Sequence, residues 1–292
     1  QAFFVNTQPG KNLFSAFWET NASWELAALP LFIWMGEILF RTKLSEEMFE
    51  GLRPWLNRVP GRLMHTTVLG CGIFGSVSGS SAATCATIAK VALPELKKRG
   101  YDEKLALGAL ATSGTLGILI PPSITMILFA VVTQQSVVAC FAATIGPGLL
   151  LMAGLILFNY VVAGRWFKES PAQPADEAKG RSSLKTLFYA IPALCIPALI
   201  LGGIYGGIFT PTEAAAVAVV LVIGIGCFVY RELSMRKLCD SFVRTAETTG
   251  TVILILLFSF LIGRILVAQG VPQDLTTFVT GLVDSPIGIL LM

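Results

Sequence analysis

The sequence predicts an all-α integral membrane protein, and its composition and the length of its apolar blocks are the observations that predict it. Hydrophobic residues make up 54% of the 292 residues and charged residues only 13%, with a mean hydropathy of +0.73. A soluble domain carries about 25% charged residues, so a soluble enzyme is excluded. Blocks such as 137–164 exceed the roughly 20 residues that a helix needs to cross a membrane. They also lack the short polar–apolar alternation of a transmembrane β-barrel.

Basic residues predict the orientation of the spans. Most of the 21 Lys and Arg residues lie in four connecting segments, which the positive-inside rule places in the cytoplasm. The remaining connections contain no Lys or Arg and are predicted to be external. From the N-terminus, the predicted elements are an external or interfacial segment at 1–23, a transmembrane helix at 24–40, a cytoplasmic interfacial arm at 44–62, a re-entrant hairpin at 66–93, a broken transmembrane helix at 105–132, a transmembrane helix at 137–164, a cytoplasmic loop at 165–185, two scaffold transmembrane helices within 187–230, a transmembrane helix at 250–268, an external interfacial arm at 271–283 and the start of a second, truncated hairpin at 286–292.

The block at 66–93 is predicted to enter and leave on the cytoplasmic side, because basic segments flank it at both ends. It is too short for two full spans. Its middle, 75–81 (GSVSGSS), should interrupt a helix near the middle of the membrane. Irregular backbone at that depth is tolerated only where it is buried in protein or lines a water-filled cavity. The alternative for these small residues is close helix packing.

The next block, 105–132, is predicted to be unwound at its centre. It contains TSGTLG at 112–117 and a Pro-Pro pair at 121–122. The prolines lack N–H donors and disfavour helix at the residue before them, so carbonyl groups are left without partners.

Two interrupted elements rich in hydroxyl and carbonyl oxygens, without carboxylates at their breaks, suit a Na⁺-type cation. The Na⁺ candidates are Ser76, Ser78, Gly79, Ser80 and Ser81 on the hairpin and Gly114, Thr115, Gly117 and Pro121 on the broken span. Candidate substrate contacts are Ser80, Ser81, Thr84, Ser113, Ser123 and Arg264. Arginine within a membrane span is a reasonable partner for an anion.

The segment 36–52 aligns without gaps on 263–279, and most apolar positions coincide. In both copies a span passes into a short amphipathic arm, which we expect at the membrane interface. The charge rule places the first copy inside and the second outside, so the pattern predicts an inverted repeat. We therefore expect a second hairpin from about residue 286, and an internal piece of a longer protein that lacks both ends.

Several stretches closely resemble the large transmembrane subunit (DctM type) of tripartite ATP-independent periplasmic (TRAP) transporters. They are 74–84 (FGSVSGSSAAT), 93–102 (LPELKKRGYD), 113–123 (SGTLGILIPPS), 28–37 (ALPLFIWMGE) and 209–216 (FTPTEAAA). The resemblance covers essentially the whole chain.

The resemblance implies an elevator-type transporter, driven by a Na⁺ gradient, that imports small organic acids such as dicarboxylates, keto acids or sugar acids. It implies two protein partners, a periplasmic substrate-binding protein and a small four-helix membrane subunit, and a multi-pass location in the bacterial inner membrane. The family's first hairpin and broken helix match 76–83 and 114–122, and the second pair would lie beyond residue 292. No enzymatic activity and no cofactor other than Na⁺ as coupling ion are expected.

Three alternatives stay open. The first is an elevator-type anion or dicarboxylate carrier that works without a binding protein. The second is a structural membrane subunit that does not transport. The third, an intramembrane serine hydrolase using His65, is disfavoured because no serine lies in a nucleophile-elbow pattern. Nucleic acid is not expected as a partner, because the basic residues flank apolar blocks and form no stripe with aromatic residues.

Overall fold

The computed structural model describes residues 18, 23–42, 62–98, 100–166 and 183–282, and every regular element within them is a helix. The all-α prediction is therefore confirmed for this part of the chain. The predicted arm at 44–62, the loop at 165–185, the segment 1–23 and the truncated hairpin at 286–292 lie almost wholly outside the described residues.

The helices are numbered here in chain order. A short 3-10 turn, Glu25–Ala27, precedes α1, and a π-helical stretch, Ile225–Val229, follows α9. The α-helices are α1 Ala28–Phe40, α2 Arg62–Ser78, α3 Ser81–Lys98, α4 Glu103–Gly114, α5 Leu116–Leu119, α6 Ile124–Thr133, α7 Val137–Trp166, α8 Ser183–Tyr205, α9 Pro211–Gly224, α10 Met235–Ala268 and α11 Val271–Leu282.

Within the described residues, three helical segments are long and apolar enough to cross a membrane: Val137–Val161, Pro211–Val229 and Met235–Val267. The pair Glu103–Leu119 and Ile124–Thr133 passes the same test together and is bent by 42° at its break. This pair is the segment in which the sequence predicts a broken span.

The chain forms two compact units. One comprises Trp24–Glu247, and the other comprises Gln1–Ser23 with Thr248–Met292. Helix α10 contributes its first part to the former unit and its remainder to the latter.

In the Trp24–Glu247 unit, α1 packs against both α9 and α2. The face of α9 in this core is made of small residues, since Ala214, Ala215 and Ala218 are completely buried. Small side chains let helix backbones approach closely, as in membrane proteins generally. The start of α9 is tied down by Thr212, whose hydroxyl donates to the carbonyl of Trp24 at 3.1 Å.

Helices α2 and α3 pack against each other as a hairpin, and both pack against α4. The hairpin ends in a Schellman arrangement: Tyr101 N–H donates to Leu96 O at 3.1 Å, and Gly100 has φ +75°. Asp102 then caps α4 by accepting the N–H of Leu105 at 3.0 Å. The turn at Gly100 and the cap at Asp102 place the broken span directly beside the hairpin.

Two helix boundaries differ from the sequence prediction. The hairpin break lies within the predicted segment 75–81 but is shorter, because α2 continues to Ser78 and α3 begins at Ser81. The helix expected at 250–268 begins at Met235. Its first turns contact α1, where Trp34 Nε1 donates to Ser241 Oγ at 3.1 Å. The aromatic rings of Trp34 and Phe242 also pack edge to face, with their centroids 5.4 Å apart.

Candidate functional site

A tight turn at Gly79 and Ser80 joins the two arms of the hairpin. Gly79 has φ +61°, a left-handed conformation that glycine adopts at little cost, and its N–H still donates to Gly75 O at 2.8 Å. Ser80 caps the start of α3, because its hydroxyl accepts the N–H of Ala83 at 3.4 Å and its carbonyl accepts the N–H of Thr84 at 3.0 Å. This capping confines the break to two residues.

Hydroxyl groups surround the turn. The Oγ atom of Ser78 lies 2.8 Å from Oγ1 of Thr84, which in turn donates to Ser80 O at 2.7 Å. Both side chains are buried, with Ser78 3% and Thr84 0% exposed. The hydroxyl of Ser76 instead turns back on its own helix and donates to Ile73 O at 2.7 Å. The tip is therefore polar but internally hydrogen-bonded.

The neighbouring span is interrupted at its proline pair. After α5, Ile120 is extended (φ −84°, ψ 119°), as expected for a residue that precedes proline. Pro121 and Pro122 are joined by a cis peptide bond and both are buried. Ser123 is extended as well (φ −120°, ψ 126°), and α6 begins at the next residue.

Ser123 carries an unsatisfied polar group at this break. Its side chain is completely buried, and its Oγ has no hydrogen-bond partner among the described residues. It occupies the N-cap position of α6 without making the usual capping bond. Leaving a buried hydroxyl without a partner costs about 1–3 kcal/mol, so an additional polar partner for Ser123 Oγ would be favourable.

The hairpin turn sits directly on the break. A Cβ atom on Gly79 would lie 3.2 Å from the backbone N of Ile124 and 3.3 Å from Pro122 O. One helical turn earlier, a Cβ on Gly75 would lie 2.6 Å from Gly117 Cα. Only glycine permits such approaches, which bring the two interrupted elements backbone to backbone.

The same junction gathers other predicted residues. A Cβ on Gly117 would lie 2.9 Å from Thr84 Oγ1 and 3.2 Å from Ser80 O, and a Cβ on Gly114 would lie 3.4 Å from Ser81 O. The carbonyl groups of Ser80 and Ser81 therefore face the broken span. The atoms presented here are hydroxyl and carbonyl oxygens, which can hold a hard cation without a formal negative charge.

The side chains of Thr115 and Ser113 do not face this junction. Thr115 is exposed, and its hydroxyl donates to Thr112 O at 2.7 Å. The buried hydroxyl of Ser113 donates to Ala109 O at 2.5 Å. Arg264 lies on α10 in the other compact unit.

One residue that the sequence reasoning missed is Gly36 of α1. A Cβ atom there would lie 3.1 Å from Ser78 O and 3.3 Å from Ser78 Cα, so α1 also touches the hairpin tip through backbone. One turn further on the same face, the ring of Phe40 lies 4.3 Å from Lys90 Nζ of α3. A glycine inside an otherwise large and apolar helix was the available signal.

The comparisons with known proteins address the family. Residues 2–292 match the family model described as "Tripartite ATP-independent periplasmic transporter, DctM component". The chain belongs to the DctM family. This family is one of membrane transport permeases and not of enzymes.

Similar curated proteins carry different substrate names. The chain is 35% identical over 274 residues to an isethionate TRAP transporter permease protein of Oleidesulfovibrio alaskensis, covering 92% of this chain and 42% of that protein. It is 34% identical over 282 residues to a C4-dicarboxylate TRAP transporter large permease protein of Pseudomonas aeruginosa, covering 97% and 65%. It is 31% identical over 271 residues to a sialic acid TRAP transporter permease protein of Haemophilus influenzae, covering 92% and 43%.

This DctM-family chain thus spans between 42% and 65% of the length of these relatives. The described hairpin and broken span both lie inside the matched region.

Proposed function

We propose that this chain forms part of a Na⁺-coupled secondary active importer for small organic acids in the bacterial inner membrane. The observation that carries the proposal is the hairpin turn at Gly79 seated on the proline break at Pro122, beside the unsatisfied hydroxyl of Ser123. Interrupted helices whose free oxygens meet deep in a membrane protein are typical of ion-coupled transporters.

The proposed ion site lies between the hairpin tip and the broken span. Its candidate ligands are the carbonyl oxygens of Ser81 and Pro122, which border the glycine contacts, and the hydroxyls of Ser78 and Ser123. The carbonyl oxygen of Ser80 already accepts two hydrogen bonds from Thr84 and is assigned to shaping the turn. Because these groups are neutral, a monovalent cation leaves a smaller net charge in the buried site than a divalent cation would. The other residues expected at the cation from the sequence are Ser76, Gly79, Gly114, Thr115, Gly117 and Pro121, which we assign to shaping the site.

The substrate is proposed to be an organic anion. Isethionate, C4-dicarboxylates and sialic acid, named for three relatives, are all anions at neutral pH. Among the candidate contacts on the hairpin and the broken span, Ser80 and Ser81 are half-buried, whereas Thr84, Ser113 and Ser123 are completely buried. Arg264 is retained as a candidate for the acid group because its guanidinium pairs with carboxylates in two-point geometry.

Ion binding can be coupled to transport through order in the hairpin. We propose that the hairpin is re-entrant from the cytoplasm and that Na⁺ orders it against the broken span. The loaded pair then moves, elevator fashion, against a scaffold that includes α8 and α9. A ligand shifts such an equilibrium only by its differential affinity for the two states. Delivery by a periplasmic binding protein and support by a small membrane subunit belong to the same proposal.

Uptake into proteoliposomes tests this function. The full-length gene product would be reconstituted with its small membrane subunit and binding protein and offered labelled succinate, sialic acid or isethionate. We expect concentrative uptake of at least one acid under an inward Na⁺ gradient. Equal uptake when K⁺ replaces Na⁺ would contradict Na⁺ coupling.

The same assay separates the alternatives. A carrier that works alone takes up its acid at the same rate when the binding protein is omitted. A structural subunit gives no uptake of any acid under any gradient, even when its partners are present.

A further inference from the structure

Three groups at the hairpin tip form a closed hydrogen-bonded ring. Thr84 Oγ1 lies 2.7 Å from Ser80 O, Ser78 Oγ lies 2.8 Å from Thr84 Oγ1, and the backbone N–H of Ser80 points at Ser78 Oγ at 3.5 Å. The ring therefore joins Ser78 at the end of α2, Thr84 in α3 and Ser80 in the turn between them.

The ring has one favoured direction. A carbonyl cannot donate, so the 2.7 Å contact uses the single hydroxyl proton of Thr84 on Ser80 O. In the contact between the two hydroxyls, Ser78 must therefore be the donor and Thr84 the acceptor. The ring closes where the backbone N–H of Ser80 donates to Ser78 Oγ. The 3.3 Å contact between Ser78 Oγ and Ser80 O is longer and is the weaker alternative for the Ser78 proton.

This direction matters for a cation, because a hydroxyl oxygen binds one only when its proton points elsewhere. In the ring, the proton of Ser78 is committed to Thr84, which leaves a lone pair of Ser78 Oγ available. A threonine in a helix often bonds back to its own i−4 carbonyl. Thr84 differs because it also accepts a hydrogen bond from across the turn.

The broken span leaves room for the ring and touches it. A Cβ atom on Gly117 would lie 2.9 Å from Thr84 Oγ1 and 3.2 Å from Ser80 O, so any side chain there would displace ring members. The ring therefore forms where the hairpin and the broken span meet.

We propose that Thr84 is a positioning residue that closes this ring, fixes the Gly79–Ser80 turn and orients the Ser78 hydroxyl for an ion. The cation part rests on the proposed function, whereas the ring itself does not. Thr84 acts through Ser78 and Ser80 and makes no contact with the ion.

Substitutions that separate the hydroxyl from the shape of the side chain test this assignment. Thr84→Val removes the hydroxyl at nearly equal volume, and Thr84→Ser keeps it. The matched control is Thr87→Val on the same helix, since Thr87 is 4% exposed and its Oγ1 has no partner among the described residues. Thr84→Ala serves as a second hydroxyl-free variant if the valine variant does not fold.

Two measurements on the full-length gene product are needed. The first is hydrogen exchange of the tip amides in Na⁺-free buffer, and the second is the Na⁺ concentration that gives half of the maximal thermal stabilisation. We expect Thr84→Val to speed tip exchange and to raise the half-saturating Na⁺ roughly tenfold, as for one lost hydrogen bond. Thr84→Ser and Thr87→Val should resemble the wild type in both.

Three other results would each contradict one part of the proposal. Wild-type exchange at the tip of Thr84→Val would overturn the ring. Faster exchange with an unchanged half-saturating Na⁺ would overturn the positioning role and leave a purely structural bond. If the wild type itself does not respond to Na⁺, the proposed function fails, and exchange alone decides whether the ring exists.

Discussion

At the scale of single residues, the junction depends on glycines that let backbone meet backbone. Gly75→Ala would place a methyl group 2.6 Å from Gly117 Cα, and a backbone neighbour cannot rotate away. We expect a loss of about 1–3 kcal/mol in the free energy of unfolding, as for other overpacked sites, seen as a lower melting temperature. The control is Gly108→Ala on α4, where a Cβ meets nothing within 4 Å. Equal melting temperatures for the two variants would show that the Gly75 contact is not formed.

These residues also show how far composition can be interpreted. The Gly and Ser content of 75–81 predicts a break that the structure has at Gly79 and Ser80, but it also predicts a break at Gly75, which lies within α2. Its contact with Gly117 compensates for the roughly 1 kcal/mol that glycine costs in a helix. Periodicity within one segment cannot reveal this, because the partner lies on a different element.

At the scale of elements, the proline pair keeps α4, α5 and α6 from forming one continuous helix. In the double variant Pro121→Ala, Pro122→Ala, restored N–H groups would let neighbouring carbonyls enter helical hydrogen bonds. We expect the variant to assemble but to lose most of its Na⁺-dependent rise in melting temperature. Pro94→Ala is the control, since Pro94 is exposed inside α3, away from the turn. An undiminished Na⁺ response in the double variant would exclude the break as part of the ion site.

Interruptions of helices were easier to predict than their ends. Pro-Pro and Gly-Ser act locally, so the breaks at 79–80 and 120–123 fall within the predicted segments 75–81 and 112–123. Both breaks are shorter than predicted, because residues 75–78, 112–114 and 116–119 are helical. Helix ends were less well predicted, because an apolar block marks only the membrane-compatible part of a helix. The start of α10 at Met235 rather than 250 is the clearest case: its polar first turns are held by Trp34 on α1.

At the scale of the whole molecule, the two halves of the proposed ion site lie in one compact unit and are nearly consecutive in sequence. That arrangement is why sequence reasoning could bring them together. Gly36 of α1 escaped prediction because its contact with Ser78 depends on how distant helices pack. The inverted repeat, the second hairpin and the role of Arg264 stay predictions.

The selective stabilisation of the folded protein by Na⁺ is the property to measure. Melting temperatures of the full-length gene product with its small membrane subunit would be compared in NaCl, KCl and choline chloride at equal ionic strength. Specific binding stabilises by RT ln(1 + [L]/Kd), about 2.7 kcal/mol at 100 times Kd. We expect a saturable rise with Na⁺ alone, which shrinks in Ser81→Ala at the hairpin tip and persists in Ser259→Ala, an exposed serine of α10. Identical melting curves in all three salts would contradict a Na⁺ site between the hairpin and the broken span.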